Sequence, residues 1–515
     1  MNYSGNVYLL IKALTKAERR YFSLQAGFNR ENSHLLQVFE AISRRGLEDD
    51  ARLKEWLKDS GFVGHLDVLK VHLYQLILSS MRAYHKNRNK QREIRAMIDD
   101  LHFLYEKSLY SQCRKLLDKA IAAANEIGYY AALVDLLDVE RMLLGVEHLQ
   151  QYNEIGINQI LQKEILVVNT LQSEAEFKHL GTMSGFLNKR YGHARSLEDF
   201  EALSSFTTQT KQMADKATTI RSKRLWNYSL MAFTLTTGNY EEALLYNAAI
   251  IESYGDNQIL IRENPIGLIS AIGNQIIICI RLKKYNDALR LLNKLHDIPQ
   301  YLSKSQRRSK ELILRIRLNE LNYRMGIYLE CGWMQLAGNY INEFEQFIAL
   351  NIKVIPGHRL NEMYFSALYY YFITGDFNKA FVYLQLLESG NLQNSKADLF
   401  NSLQIIKLLM HYDLGNKHLL PYLVRSVYRM LLHVDQLYTF EHTLIRFMRK
   451  NLIHVTDKKS AKKQFIRLKN ELNKIQTDQY EQHAFIMFDI IAWLDSKIHE
   501  KPYGQAIADI HTNNQ

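Results

Sequence analysis

Apolar residues recur at helical spacing along almost the whole chain. Between residues 65 and 86, an i, i+3, i+4 rhythm places six of them near one stripe: Val68, Val71, Leu73, Leu76, Ile77 and Met81. The stretch 113–127 repeats this rhythm, and Gly128 follows it as a predicted C-terminal cap. No run alternates between apolar and polar residues with Gly or Asn turns on either side. The pattern therefore predicts an all-α protein of about 25 helices joined by short breaks.

The composition favours the same fold class. Gly contributes 23 of the 515 residues and Pro contributes 5, whereas average usage would give about 36 and about 26. Since these residues mark turns and bulges, their scarcity argues against an all-β protein. The hydrophobic content of 47% argues against a disordered chain. The length exceeds that of one compact core, which leaves either several domains or a repeat whose units pack only on their neighbours.

A turn followed by a helix recurs in the sequence and favours the repeat. It reads TTGNYEEALLY, RLKKYNDALRLL, LAGNYINEFEQF and ITGDFNKAFVYLQLL, with a weaker copy around Tyr110. We expect the Gly to end one helix and the Asn or Asp to cap the next. The aromatic residue would wedge between the two helices, and the small Ala would allow their close approach. The predicted turn residues are Gly238, Tyr240, Ala243, Tyr285, Ala288, Gly338, Tyr340, Gly375, Phe377 and Ala380.

This motif resembles the inter-helix turn of the tetratricopeptide repeat, which has the same order of Gly, Asp or Asn, Tyr or Phe, and Ala. The resemblance implies an irregular, tetratricopeptide-like right-handed superhelix of antiparallel helix pairs with an N-terminal helical cap domain. It is irregular because the aromatic positions lie 45, 55 and 37 residues apart, while the family repeat is about 34 residues. The whole chain is also similar to a family of long helical bacterial proteins, which implies architecture and no activity.

Four segments follow from these patterns. The first, 1–90, combines several short helices with a long one at 65–86, and Thr15 with Glu18 reads as a capping box. We interpret it as a small helical domain that caps the superhelix. A DNA-reading helix-turn-helix or winged-helix module is the alternative, although no wing strands are visible in the sequence. The second segment, 91–225, is predicted to contain divergent helical repeats. The third, 226–395, is predicted to contain tetratricopeptide-like repeats, and the fourth, 396–515, C-terminal helical repeats with a basic segment and a cap.

The net charge of +11 is concentrated in three segments. Residues 82–95, 304–317 and 446–469 carry local charges of +5, +5 and +8, so the remaining chain is at −7. They are either solvated loops and helix ends or a face that attracts phosphate or an acidic partner. The third segment is the strongest candidate, because cations at i, i+4 and i+8 form one stripe with few aromatic residues, which favours phosphate contact over base stacking. The candidate polyanion contacts are Lys459, Lys462, Lys463 and Arg467.

Motifs for catalysis or metal binding are not found in the sequence. Dinucleotide, Walker and zinc-protease motifs are absent, and a GTMSG segment lacks the spacing of a nucleophile elbow. Glu176 and His179 form a lone ExxH pair, which we interpret as a helix surface. Cys113 and Cys279 read as core residues, and Cys331 is the one cysteine to test for reactivity. The sequence thus predicts no enzyme, no cofactor and no metal site.

These observations predict a non-catalytic scaffold or adaptor that holds a protein or peptide partner in the groove of the superhelix. The Tyr-rich segment 364–377 is interpreted as superhelix core, with a tyrosine-lined partner groove as the alternative. One rival function is a nucleic-acid-associated regulator that contacts phosphate weakly through basic helices, and another is an enzyme with an undetected pocket. With no export signal, membrane span or cysteine framework predicted, we expect a cytoplasmic protein with no membrane partner.

Overall fold

All regular elements that the structure describes are helical, which confirms the predicted all-α class. The computed structural model describes residues 3–27, 33–47, 49–61, 63–86, 89–146, 154–191, 193–390, 397–416, 418–434, 436–452 and 457–512. The chain divides into two compact units, Met1–Glu164 and Ile165–Gln515, here named unit 1 and unit 2. The segment boundaries that the sequence suggests at 90, 225 and 395 stay predictions.

Unit 1 is built from eight described helices and the start of a ninth. The ninth, α9 (Glu154–Tyr191), continues into unit 2. The eight are α1 (Tyr3–Ala13), α2 (Lys16–Gly27), α3 (Ser33–Arg45), α4 (Asp50–Trp56), α5 (Leu66–Tyr84), α6 (Lys90–Glu106), α7 (Tyr110–Glu126) and α8 (Tyr130–Leu144).

Unit 2 continues from α9 through helices of very different length. A π-helix, Met448–Leu452, directly follows the helix that ends at Phe447. The helices are α10 (Leu197–Gln212), α11 (Ile220–Thr236), α12 (Tyr240–Glu252), α13 (Gln258–Glu263), α14 (Pro265–Arg281), α15 (Tyr285–Tyr301), α16 (Lys304–Arg307), α17 (Lys310–Glu330), α18 (Met334–Asn351), α19 (Gly357–Thr374), α20 (Phe377–Ser389), α21 (Ala397–Asp413), α22 (Leu420–His433), α23 (Thr439–Phe447), α24 (Lys458–Gln476), α25 (Ile490–Ile498) and α26 (Tyr503–Thr512).

Helices α1, α2, α3 and α5 of unit 1 share an apolar core. Its centre contains Phe22 and Phe39, whose ring centroids lie 4.4 Å apart. The predicted capping box at the start of α2 is confirmed: the Thr15 amide donates to Glu18 Oε2 over 2.7 Å, and the Glu18 amide donates to Thr15 Oγ1 over 3.3 Å. No strand, and hence no wing, lies in the described part of residues 1–90.

Ten helices of unit 2 follow one another as pairs, each with a first and a second helix. The first helices are α11, α14, α17, α19 and α21, and the second helices are α12, α15, α18, α20 and α22. The second helices α12, α15, α18 and α20 each pack on the first helix of their own pair and on that of the next pair. First helices also pack on one another, α14 on α17, α17 on α19 and α19 on α21. The first helices are therefore enclosed by neighbours on several sides.

The most apolar stretch of the sequence, 265–280, forms the enclosed first helix α14. Pro265 starts this helix at a position where no backbone N–H is needed. Buried residues surround its axis, among them Leu268, Ile269 and Ile272. Burial in protein rather than in lipid explains the apolar run, and none of the described helices is long and apolar enough to cross a bilayer.

The last helices of unit 2 complete the largest core of the chain. Trp493 of α25 is fully buried, and its ring meets those of Tyr412 in α21 and Phe465 in α24 at centroid distances of 6.0 and 5.8 Å. Helix α26 packs on α19. One continuous core thus joins α17 through α26, so that the last helices stabilise the helix pairs that precede them.

Candidate functional site

The turns predicted at Gly238 and Gly375 have the expected conformation. Both glycines have a φ of 79°, in the left-handed region that favours glycine. The next residue, Asn239 or Asp376, caps the following helix by accepting a hydrogen bond from the backbone amide three positions later. The remaining motif residues take their expected places: Tyr240 and Phe377 begin their helices, and Ala243 and Ala380 are fully buried.

The turn before Tyr285 uses a lysine in place of the glycine. Lys283 has a φ of 57°, and Tyr285 begins α15 two positions later. Ala288 is fully buried, as the small position of the motif predicts. The weaker copy in unit 1 has the same geometry, since Ser108 with a φ of 59° precedes Tyr110 at the start of α7. The turn therefore depends on the left-handed residue rather than on glycine itself.

The turn predicted at Gly338 and Tyr340 is wrong. Both residues lie inside α18, which begins at Met334. The turn is at Gly332, whose φ of 69° ends the preceding helix, and Ala337 is the buried small residue. The residues Gly338 to Tyr340 match the motif, but the glycine that ends the preceding helix lies six residues earlier. Because α18 begins at Met334, the second helices α12, α15, α18 and α20 begin 45, 49 and 43 residues apart. This spacing is more even than the spacing of the aromatic residues in the sequence motif.

The C-terminal segment, residues 481–512, lies along the C-terminal ends of the first helices. His483 lies against Gly238 after α11, and the Ile486 carbonyl accepts a hydrogen bond from Arg281 at the end of α14 over 3.1 Å. Two further helix ends are contacted by the last helix: Ala508 lies against Gly332 after α17, and Gly504 lies against Ile373 near the end of α19. At the end of α21, Trp493 Nε1 donates a hydrogen bond to Asp413 over 3.1 Å. The chain itself thus covers part of the surface formed by the repeat turns.

Replacing Gly238 with alanine is expected to destabilise unit 2 by about 1–3 kcal/mol, because the side chain is strained at positive φ and overpacks the site. A Cβ atom there would lie 2.2 Å from His483 Cε1. Gly375→Ala is the matched control, since φ is the same and nothing lies within 4 Å of its Cβ position. Urea unfolding followed by circular dichroism measures both losses of unfolding free energy. Equal losses of unfolding free energy in the two variants would show that the contact with His483 adds nothing to the destabilisation.

A buried ion cluster joins three distant parts of unit 2. Arg195 makes two parallel hydrogen bonds to Glu441, of 2.6 and 2.9 Å, and a third of 2.6 Å to Glu481 Oε2. Backbone amides at the start of α23 also donate to Glu481, and the Arg195 guanidinium lies 4.2 Å from the Tyr438 ring centre. Burial acts to lower the pKa of Arg195, but the two carboxylates outweigh it, so this pKa is raised. The arginine stays charged and holds its partners together.

A histidine pair lies beside this ion cluster. The rings of His193 and His483 stack with centroids 4.7 Å apart, and His193 Nδ1 lies 2.9 Å from Asp398 Oδ2. The Tyr240 hydroxyl lies 3.4 Å from His483 Nδ1. Burial, reinforced by His193, lowers the pKa of His483 to about 3, so its ring is neutral at pH 7. Burial likewise raises the pKa of Tyr240 to about 12.

Protonation of His483 is expected to destabilise unit 2 as the pH falls. Because its pKa is about 3 in the folded protein and ordinarily 6.5, the unfolded chain binds a proton below pH 6.5 that the folded chain does not. The unfolding free energy should therefore fall between pH 6.5 and 3, by at most about 1.4 kcal/mol per pH unit from this group. Urea unfolding of His483→Gln should show a flatter decline. The exposed His442→Gln is the control, and parallel profiles for all three proteins would contradict the prediction.

No local pattern in the sequence points to the ion cluster or the histidine pair. Arg195 lies 246 residues from Glu441 and 286 residues from Glu481, and none of the three belongs to a motif. The charged groups are paired with one another and largely closed to solvent, while Arg195 Nε and His483 Nε2 are buried without a hydrogen-bond partner among the described residues. The geometry therefore suits a joint between segments, in which each charge has its partner, rather than a site that receives substrate.

The four candidate polyanion contacts lie together on one exposed face of α24, which we call the basic face. The opposite face of this helix buries Phe465, Leu468 and Leu472 in the core. Among the residues that the structure describes, none of the four cations makes an ion pair. The basic face thus consists of four exposed residues whose contact with a polyanion stays a prediction: Lys459, Lys462, Lys463 and Arg467.

The other two basic segments differ in how far their charge is neutralised. In 82–95, Lys86 pairs with Asp100 over 3.4 Å, and Arg88 lies outside the described residues. In 304–317, Arg317 pairs with two glutamates. Five other cations of this segment are exposed and make no ion pair within the described residues: Lys304, Arg307, Arg308, Lys310 and Arg315.

The cysteines and the Tyr-rich segment are parts of the core. Burial raises the pKa of Cys331 to about 12 and that of Cys279 to about 11, so neither thiol forms a thiolate nucleophile at neutral pH. Tyr364 and Tyr371 are buried, which confirms the core interpretation of the segment 364–377. Within the described residues, no three side chains of the metal-ligating types are grouped so that they could hold an ion.

Comparison with family models, with curated proteins and with solved structures found no match to this chain. The tetratricopeptide resemblance therefore stays a prediction from the turn motif.

Proposed function

We propose that the protein is a non-catalytic scaffold that binds a partner protein through unit 2, an irregular, tetratricopeptide-like superhelix of antiparallel helix pairs. The packing order supports this proposal, because second helices bridge consecutive pairs and first helices pack on one another, as expected where repeats contact only their neighbours. The spacing of 45, 49 and 43 residues between second helices also favours a repeat. The right-handed sense is implied by the resemblance.

The outward side of the second helices is the proposed contact surface. Val382 lies two residues after the buried Ala380 of α20, which places it on the opposite side of the helix. It is 55% exposed, and Leu386 one turn later is 38% exposed. The same pattern occurs on other second helices, with large exposed side chains opposite the buried stripe: Leu245 on α12, Leu350 on α18 and Tyr422 on α22.

The exposed apolar side chains on α12, α18, α20 and α22 are the observation that carries the proposal, and α15 is the one second helix whose outward positions are polar. The ends of the first helices are covered by the C-terminal segment, whereas the outward side of the second helices is open in unit 2. Large apolar side chains that recur at open positions mark protein interaction sites. We infer a partner that contributes apolar side chains of its own. The proposal involves no catalytic step, cofactor or metal ion.

Affinity purification from the native host, at low and at high salt, tests the proposed function. Val382→Ser/Leu386→Ser should lose a discrete partner that the wild type retains at both salt concentrations, because apolar contacts are not screened by salt. The matched control is Leu9→Ser/Leu24→Ser, which removes two exposed leucines from unit 1. A partner retained equally by both variants would contradict the assigned surface. A partner released from the wild type by salt alone would contradict the apolar mode.

A further inference from the structure

The basic face of α24 carries charge that the fold does not use. The N-terminal part of this helix contains Lys458, Lys459, Lys462 and Lys463, and its first turn contains no acidic residue. Cations near a helix N-terminus oppose the helix dipole, and like charges four residues apart repel each other. Two such repulsive pairs fall in this part of the helix. This repulsion is offset by the Asp457 cap, whose carboxylate accepts a hydrogen bond from the Ser460 amide, and by the burial of the opposite face.

The flanking lysines show how the fold neutralises charge elsewhere on α24. Lys469 pairs with Asp495 over 2.6 Å, and Lys458 lies 3.8 Å from a Glu500 carboxylate oxygen. Each of these carboxylates comes from the region around α25. Between the two flanking lysines, the basic face has no ion pair within the described part of the chain. Its charge is available to a ligand.

Further exposed cations lie on elements that contact this region. The π-helix Met448–Leu452 packs on both α22 and α24. It carries Arg449 and Lys450, and α22 carries Arg425 and Arg429, all of them exposed. The π-helix therefore adds positive charge next to α24, and α22 adds positive charge next to the π-helix.

The surroundings of the four cations favour a phosphate backbone over other polyanions. A membrane-bound helix needs a broad apolar face for the bilayer, but Phe465, Leu468 and Leu472 of α24 are buried in the core and only Ile466 is exposed beside the cations. Stacking of single-stranded bases needs exposed aromatic rings, and the one aromatic residue of α24 is Phe465. A nucleic-acid duplex requires neither feature.

The dimensions of the basic face fit duplex DNA. Lys459 and Arg467 are eight residues apart on one stripe, which corresponds to about 12 Å along the helix. Duplex DNA presents a negative charge about every 1.7 Å along its axis, and its major groove, about 12 Å wide, admits a helix. The major groove of duplex RNA is too narrow for this. We propose that the basic face binds the phosphate backbone of duplex DNA without reading its sequence.

Fluorescence anisotropy with a labelled 20-base-pair DNA duplex tests this proposal on the full chain. For four phosphate contacts, the logarithm of the association constant should fall with the logarithm of salt concentration with a slope of about −3.6. Lys459→Glu/Lys463→Glu/Arg467→Glu should weaken binding at least about 100-fold at 50 mM salt. This variant is expected to fold, because all three side chains are exposed and Lys459→Glu places an acidic residue in the first turn of the helix, where it is stabilising.

The control is Lys304→Glu/Arg307→Glu/Arg308→Glu, which changes the net charge by the same amount at another exposed basic segment. The proposal expects this control to bind like the wild type. Equal weakening of both variants would overturn it, since net charge alone would then explain the binding. No binding by the wild type at 50 mM salt, tighter binding of duplex RNA, or tighter binding of anionic phospholipid vesicles would also overturn it. The outcome is independent of the outward apolar surface, because neither variant changes Val382 or Leu386.

Discussion

Arg195→Met is expected to lower the unfolding free energy by about 3–5 kcal/mol, the range for breaking a buried ion pair. The substitution leaves Glu441 and Glu481 buried without the guanidinium that satisfies them. It also removes three hydrogen bonds that join the segment before α10 to α23 and to the C-terminal segment. Chemical denaturation followed by circular dichroism measures the loss.

Arg141→Met is the matched control for this prediction. Arg141 also pairs with two carboxylates, Asp138 and Glu164, but it is half exposed, so its loss should leave the unfolding midpoint nearly unchanged. Arg195→Met/Glu441→Gln/Glu481→Gln should recover part of the lost stability, because the unpaired charges are gone. A single Arg195→Met variant as stable as Arg141→Met would show that the buried cluster is not a joint of unit 2.

Trp493→Ala is expected to lower the unfolding free energy by about 3–5 kcal/mol, because it leaves a large cavity in the core. The substitution also removes the indole N–H that donates to Asp413. Since Trp493 touches α21 and α24, hydrogen exchange should accelerate in both helices. Trp333→Ala is the control: this ring is 36% exposed, and its removal should have a much smaller effect. Unchanged exchange in α21 would contradict the shared core.

The local features of the fold could be predicted from the sequence. Helical spacing of apolar residues gave the fold class, and the Thr15–Glu18 pair gave the start of α2. The basic face was visible because residues four apart lie on the same side of a helix. Each of these features depends on residues within one or two helical turns, so that a single stretch of sequence contains all the information.

The nonlocal features could not be predicted. Gly338 matched the motif, but the preceding helix ends at Gly332. A side chain at Gly332 would also collide with Ala508, a residue far away in the sequence. Gly238 was recognised as a turn residue, while its second role, making room for His483, involves a contact across 245 positions of the sequence. Pairings such as that of Arg195 with Glu481 follow from the way the helices stack, and no spacing rule connects them.

The contact between Arg195 and Glu481 has a consequence for biosynthesis. The two residues are separated by 286 positions, which a ribosome translates in roughly 14–57 s at 5–20 residues per second. Throughout that interval, Glu481 has not been synthesised and cannot pair with Arg195, and His483 has not been synthesised and cannot pack against Gly238. Consecutive helix pairs can pack on one another during synthesis, but the buried ion cluster can close only after residue 481 has left the exit tunnel.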